Sequence, residues 1–243
     1  MAPGVREMSA TSPPAVVPET GSLSTALLLS FVGGYVDTFS FVMLSGLFTA
    51  HVTGNFVLIG AALAGHGHVG VLGKLLALPV FVCAVATTRW YQRRRAGDES
   101  DSGRALVLIQ LIGLGLFMAC GHLAGGGRDA DSAAAVLTGL VGVAAMAVQN
   151  VAARSAFVRL SPTTVMTGNV TQVTMDLVDL LHGDATREAA AARMGRLWPP
   201  IVAFAVGAIT AGVCSGTLGF DALLLPGLAL SMLWFLLRRP IAA

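Results

Sequence analysis

The sequence predicts an all-α polytopic membrane protein, and three observations lead to this fold class. The 243-residue chain is 55% hydrophobic and only 12% charged, whereas about 25% of the residues in soluble domains are usually charged. Several apolar runs reach or approach the ~20 residues that a helix needs to cross a bilayer. These runs lack the alternation of polar and apolar residues that marks a transmembrane β-strand, so the spanning elements are expected to be helices.

The apolar segments fall into two sets of four, which predicts two transmembrane repeats. Residues 1–21 hold several prolines and no apolar core, and we expect a disordered cytoplasmic tail there. The first repeat covers residues 22–125 and the second covers residues 133–239. The eight predicted segments are Leu23–Leu44, Phe48–Ala64, Val69–Trp90, Ala105–Ala124, Ala133–Ala153, Thr163–Leu181, Trp198–Leu218 and Leu223–Leu237.

A tripeptide recurs at the same place in both sets. Thr53-Gly54-Asn55 returns as Thr167-Gly168-Asn169, 114 residues later. Gly and Asn interrupt helices, and irregular backbone at membrane depth is tolerated only where it is buried in protein or lines a wet cavity. We therefore expect both TGN segments to lie inside the protein, next to a cavity or a binding site.

The distribution of positive charge predicts which segments cross the membrane. If all eight cross, the 15 Lys and Arg residues divide 7 to 8 between the two sides. If both TGN segments enter and leave on one side, 13 lie on the side of the termini, and only Lys74 and Arg128 lie opposite. Lys and Arg prefer cytoplasmic loops, so the second arrangement is favoured. It predicts cytoplasmic termini and six spanning helices as two inverted three-span repeats, each with an additional re-entrant or partial TGN segment.

Four stretches of this chain resemble the YoaK-type bacterial membrane proteins, the DUF1275 family. In the first half they are Gly34–Asp37 and Phe48–Asn55, and in the second half they are Ala145–Asn150 and Thr163–Asn169. The resemblance covers nearly all of the chain after residue 22. It implies a bacterial protein with six transmembrane segments, and it implies no particular substrate.

Asp37 is the strongest candidate for a functional side chain. It lies well inside the first apolar segment, where a carboxylate costs about 3 kcal/mol or more on insertion scales. Such an acid should face the protein interior and be either partnered or protonated. We expect a proton- or cation-responsive group, and the alternative is a structural hydrogen bond between helices.

Neutral polar residues complete the candidate solute or ion site. Gln149 and Asn150 occupy the corresponding region of the second half, where they would orient a ligand or join helices. In the TGN copies, four residues could cap half-helices whose N-termini attract anions, or they could be structural breaks. These four are Thr53, Asn55, Thr167 and Asn169. His51 lies beside the first copy and is also a candidate, although a lone histidine is more often a packing residue.

One helix face of the second TGN segment is polar. Asn169, Gln172, Asp176 and Asp179 follow spacings of three, four and three residues, which place them on the same face. This stripe predicts a helix that lines a wet vestibule, with Asp176 in the site. The alternative is that the two acids lie near the membrane surface and are simply solvated.

These features favour a gradient-driven transporter or channel of the bacterial inner membrane for a small solute or ion, with its site between the two TGN motifs. We find no phosphate loop, nucleophile elbow or zinc-protease motif, and we expect no enzyme activity, cofactor or metal. The net charge of +2 predicts no nucleic-acid partner. Homo-oligomerisation remains open. The alternatives are a membrane-embedded enzyme using Asp176, Asp179 and His182, and an accessory subunit without transport.

Overall fold

The structure is a computed structural model that describes residues 19–66, 70–95, 99–125, 130–160, 163, 164, 166–182 and 187–237. Eight α-helices lie within these residues. They are α1 (Glu19–Met43), α2 (Gly54–Ala61), α3 (Val71–Arg94), α4 (Glu99–Leu123), α5 (Ala133–Arg154), α6 (Met166–His182), α7 (Arg187–Leu218) and α8 (Leu224–Leu236). A π-helical turn, Ala62–His66, extends α2, and a 3₁₀ turn, Gly219–Leu223, joins α7 to α8. Of the predicted disordered tail, residues 1–18 lie outside the described residues and residues 19–21 begin α1.

The helices confirm the predicted class of an all-helical, multi-pass membrane protein. Five helical stretches are long and apolar enough to cross a bilayer, and Gly54–His66 is apolar but shorter. The five are Leu23–Met43, Val71–Arg94, Ser102–Leu123, Ala133–Arg154 and Arg187–Leu236. The segment that contains the first TGN motif is therefore a short helix, as expected for a partial segment.

The fifth stretch, Arg187–Leu236, is 50 residues long and bends back on itself. Gly34 of α1 lies against the carbonyl of Phe204, and the hydroxyl of the adjacent Tyr35 donates to the Ala222 carbonyl at 2.8 Å. In a straight helix, residues 204 and 222 would be about 27 Å apart, which is farther than one tyrosine side chain reaches. The reversal occurs at the 3₁₀ turn, where Gly219 has a φ of +54° that suits glycine better than other residues.

Helices α1 and α5 form the centre of the molecule. In their most apolar windows 61% and 67% of residues are buried, against 17% for α3, so α3 lies at the surface of the molecule. Phe39 of α1 packs edge-to-face against Phe117 of α4 and Phe220 of the 3₁₀ turn, with ring centroids 5.8 Å and 5.5 Å apart. Side chains of α1 thus connect both halves of the chain.

Small residues allow α1 and α7 to approach closely. A Cβ atom on Gly34 would overlap the carbonyl oxygen of Phe204, and one on Gly207 would overlap the carbonyl oxygen of Phe31. Lipid provides no hydrophobic driving force between helices, so close backbone packing through small residues is a main source of their association. This contact fixes how the second half lies against α1.

Several predicted loop boundaries are wrong. The stretches left between predicted segments at residues 91–104 and 182–197 are largely helical, because α3 continues to Arg94, α4 begins at Glu99 and α7 begins at Arg187. The first turns of α4 and α7 are polar and therefore lack an apolar signal, but they contain good helix formers. In α7 these are the four alanines after Glu188, and alanine has the highest helix propensity. Pro199 and Pro200 lie inside α7 rather than at its start.

The contacts define two ends of the helix bundle. At the arginine-rich end, the Gln92 amide at the end of α3 donates to Ser102 of α4 at 3.2 Å and to Ser155 after α5 at 2.9 Å. At the opposite end, the Gly70 N–H before α3 donates to Asp131, which precedes α5, at 3.2 Å. Arg94 at the arginine-rich end stacks over Trp90 at 4.1 Å, as interfacial aromatic residues often do.

Candidate functional site

Each long helix that precedes a TGN motif is followed by a segment that turns back along it. The first return loop is residues 44–53, between α1 and α2. The second return loop is residues 155–165, between α5 and α6, of which residues 161, 162 and 165 lie outside the described residues. A polar side chain of the preceding helix binds each loop, and the short helices α2 and α6 begin after the loops.

Asp37 holds the first return loop against α1. Its Oδ1 accepts hydrogen bonds from the backbone N–H of Thr49 at 2.8 Å and of Ala50 at 2.7 Å. The side chain of Asp37 is buried, and the residue is only 3% exposed. A carboxylate that accepts backbone N–H bonds makes charge-assisted bonds, which are about twice as strong as neutral ones. The predicted partnering of Asp37 is therefore present, and its partners are backbone groups of the loop.

His51 completes the contacts of Asp37. Its Nδ1 lies 2.5 Å from Oδ2 of Asp37, while its side chain remains 35% exposed. The imidazole ring also packs edge-on against Phe204 of α7, with centroids 6.0 Å apart. His51 thus connects the buried carboxylate of Asp37 to a partly exposed position next to α7.

The first TGN motif does not cap its helix in the predicted way. Thr53 occupies the N-cap position of α2, but it makes no side-chain cap bond and is exposed. Asn55 instead reaches back, accepting from the Phe48 N–H and donating to the Phe48 carbonyl, both at 2.9 Å. Of the two possibilities left open for Asn55, a helix cap or a structural break, these bonds to the loop backbone favour the structural break.

Gln149 and Asn150 hold the second return loop in a similar way. The Gln149 amide donates to the Leu29 carbonyl of α1 at 2.8 Å and to Thr163 Oγ1 at 3.3 Å, and its oxygen accepts from Gln110 of α4 at 2.6 Å. The Asn150 oxygen accepts from the Thr164 hydroxyl at 2.9 Å. Gln149 is fully buried, and both of its N–H groups and its oxygen have partners in the protein, so its side chain joins α5 to α1, α4 and the second return loop.

The two return loops meet on α1. Asp37 binds the first loop, and Gly33, one helical turn earlier, lies so close to the second loop that an added Cβ would be 2.8 Å from the Thr163 carbonyl oxygen. Residues four apart share a helix face. The loops before the two TGN motifs therefore contact neighbouring positions on one face of α1.

The second TGN motif opens α6. Thr167 is exposed, like Thr53 of the first motif, whereas Asn169 is buried and its amide lies 3.6 Å from the Met166 sulfur. The exposed and buried positions of the two motifs thus correspond. The correspondence supports similar roles for the two asparagines in packing the start of each short helix.

Asp176 lies apart from these contacts, between α6 and α7. Its Oδ1 accepts from Gln172 at 3.0 Å and from both Nε and Nη2 of Arg193, at 3.0 Å and 2.7 Å. Asp176 is fully buried, so the alternative in which it is simply solvated is wrong. The polar stripe of α6 faces α7 rather than an open vestibule, because Arg193 supplies a positive partner that the spacing within α6 could not reveal.

The neighbours of the candidate residues were mostly missed by sequence reasoning. Thr49, Thr163, Thr164, Gln110 and Arg193 all bind predicted site residues. The 114-residue offset relates Thr49 to Thr163, and this match was a usable signal for the two loops. His182 bonds only with the Val178 carbonyl of its own helix, and no cluster of three metal-ligating side chains occurs among the described residues.

The helices and the paired return loops define a multi-pass α-helical membrane protein with irregular backbone at its centre. A family model described as "Protein of unknown function (DUF1275)" matches residues 25–236. The chain belongs to the DUF1275 family, and this confirms the resemblance inferred from its motifs. The UPF0700 transmembrane protein YoaK of Bacillus subtilis (strain 168) is 41% identical over 58 residues, or 24% of this chain and 26% of that protein. No solved structure matches the chain significantly.

Proposed function

We propose that this protein moves a small solute or ion across the bacterial inner membrane, driven by a gradient, through a site next to its two return loops. The observation that supports this proposal is the buried carboxylate of Asp37, which lies inside a candidate spanning helix and binds the irregular backbone of the first return loop. Intramembrane acids commonly mark ion or proton pathways. Broken helices at the centre of paired repeats commonly form the binding sites of secondary transporters.

The proposed architecture has six spans arranged as two inverted three-span repeats. The helix α1, the partial helix α2, α3 and α4 form the first repeat, and α5, the partial helix α6, α7 and α8 form the second. The reversal of the chain between α7 and α8 supports two crossings within Arg187–Leu236. With 13 of the 15 Lys and Arg residues then on one side, the arginine-rich end and both termini are cytoplasmic.

In the proposed mechanism, the charge of Asp37 controls the first return loop. The ionised carboxylate accepts the N–H groups of Thr49 and Ala50 and so holds the loop on α1. A proton or cation that reaches Asp37 through the partly exposed His51 weakens these charge-assisted bonds. The loop then has a second position, and alternation between the two positions opens the site to each side in turn. Loop position is thereby coupled to the proton or ion gradient.

Flux in proteoliposomes tests this function. The purified full-length chain is reconstituted with an internal pH-sensitive dye, and a panel of small solutes and monovalent cations is applied with and without an imposed pH gradient. We expect at least one compound to move, with its rate depending on the gradient and on the protein-to-lipid ratio. If the protein-containing liposomes match empty liposomes for every compound, the accessory-subunit alternative is favoured instead.

A further inference from the structure

A cavity with a volume of about 280 Å³ opens beside the second return loop, outside the contacts of Asp37. Four of its lining residues are polar: Asn150, Arg154, Thr163 and Thr164. The others include Val158, which is 66% exposed. The cavity lies at the arginine-rich end of the bundle, because Arg154 is the last residue of α5 and the next residue, Ser155, bonds with Gln92.

Several hydrogen-bond donors of this cavity have no partner among the described residues. Within the described part of the chain, the guanidinium of Arg154 has no ion-pair or hydrogen-bond partner. The Asn150 amide uses one of its two N–H groups on the Met146 carbonyl, and its oxygen already accepts from Thr164. The Thr163 oxygen accepts from Gln149, which leaves the Thr163 O–H free to donate. None of the described residues that line the cavity is acidic.

We propose that this cavity binds a small anionic group, a phosphate or a carboxylate, with Arg154 as its principal ligand. A guanidinium presents a planar set of donors that matches carboxylate and phosphate oxygens in pairs. Basic pockets at the cytoplasmic ends of spanning helices are typical sites for anionic headgroups. The group belongs either to a free anion or to an anionic lipid, and the chemistry that recognises it is the same. The proposal is independent of translocation.

Thermal unfolding of the purified full-length chain in detergent tests the site. One arm adds inorganic phosphate at constant ionic strength, with chloride as the balancing salt. The other arm uses mixed micelles with phosphatidylglycerol or, as a neutral lipid, phosphatidylcholine. We expect phosphate or phosphatidylglycerol to raise the unfolding midpoint of the wild type. Stabilisation by phosphate identifies a free anion, and stabilisation by phosphatidylglycerol alone identifies a lipid headgroup.

The variant Arg154→Gln is compared with Arg159→Gln, which removes an exposed arginine of the adjoining second return loop that does not line the cavity. We expect the apparent affinity for the stabilising probe, phosphate or phosphatidylglycerol, to fall about tenfold or more in Arg154→Gln, since a hydrogen bond to a charged group is lost. The affinity should stay unchanged in Arg159→Gln. Equal responses of the two variants, or no response of the wild type, would overturn the proposal.

A second pair of variants keeps the test decisive if Arg154→Gln folds poorly. Val158→Glu places a carboxylate at the cavity, where it pairs with Arg154 and repels an anion, and Val158→Gln is its neutral control. Val158 is largely exposed, so both proteins are expected to fold. Loss of the response in Val158→Glu and its retention in Val158→Gln support the site. Retention in both contradicts it.

Discussion

Asp37 contributes to stability because its carboxylate satisfies buried backbone groups. Replacement by leucine removes the acceptor of the Thr49 and Ala50 N–H groups, and each buried donor left unpaired costs about 1–3 kcal/mol. We expect Asp37→Leu to lower the unfolding midpoint in detergent markedly. Asp37→Asn keeps one acceptor oxygen and should lose less. Equal stability of the leucine variant and the wild type would mean that the loop does not depend on Asp37.

The two polar residues of the first TGN motif, Thr53 and Asn55, should differ in their contribution to the stability of the protein. Asn55→Ala removes both bonds to the Phe48 backbone and is expected to cost about 1–3 kcal/mol in the free energy of unfolding. Thr53→Ala is the matched control, since Thr53 is exposed and makes no cap bond, and it should change stability by less than about 0.5 kcal/mol. Chemical denaturation in mixed micelles measures both. A larger loss in the threonine variant would restore the capping hypothesis.

At the scale of elements, the contact between α1 and α7 depends on glycine. Gly207→Ala would place a methyl group against the Phe31 carbonyl, and such overpacking typically costs about 1–3 kcal/mol. Gly212→Ala in the same helix is the control, because a Cβ there meets nothing within 4 Å. We expect a lower unfolding midpoint only for Gly207→Ala. Similar midpoints for the two variants would show that this contact is looser than described.

Helices that coincide with an apolar run could be predicted from the sequence, whereas polar helix starts and the contacts of the return loops could not. The apolar runs of α1 and α5 are continuous, so their positions were predicted to within a few residues, apart from the start of α1. The start of α7 was missed because its first turns are polar, and their helical character rests on alanine propensity rather than hydrophobicity. The charge distribution predicted re-entrant or partial TGN segments, but the contacts of the return loops with α1 and α5 could not be predicted, because nothing local shows that a chain turns back onto its own helix.

In the candidate site, the polar residues themselves could be predicted from the sequence, but most of their partners could not. Asp37 and Gln149 were found because polar side chains stand out within apolar runs. The partners of Asp176 and Gln149 could not be predicted, because Arg193 and Gln110 come from other helices and meet these residues only after folding. Sequence alone also left the role of Gln149 open, and its hydrogen bonds to α1 and to the second return loop favour helix packing.

At the scale of the whole molecule, the charge distribution predicts sidedness. In a background without the native cysteines, Ala189→Cys near the start of α7 should react with an impermeant maleimide only after the cells are permeabilised. Ala133→Cys, exposed at the opposite end, should react in intact cells. The physical reason is the preference of Lys and Arg for the cytoplasm. Labelling of residue 189 in intact cells would contradict the proposed topology, because the start of α7 would then lie outside the cell.

In the proposed mechanism, the charge of Asp37 couples a gradient to movement of the first return loop. Asp37→Asn preserves size and cannot ionise, and a neutral amide costs less in the membrane than a carboxylate, so the variant should insert and fold. Asp221→Asn serves as the control, because Asp221 is an exposed acid that pairs with His122 at the opposite end of the bundle.

The most direct measurement is the pH dependence of flux in proteoliposomes for the wild type and these two variants, each checked for monodispersity before reconstitution. We predict that the wild type and Asp221→Asn show the same dependence on pH and that Asp37→Asn shows none. A well-folded Asp37→Asn protein that keeps the wild-type pH dependence would contradict this account, and Asp37 would then be a residue that only holds the loop in place.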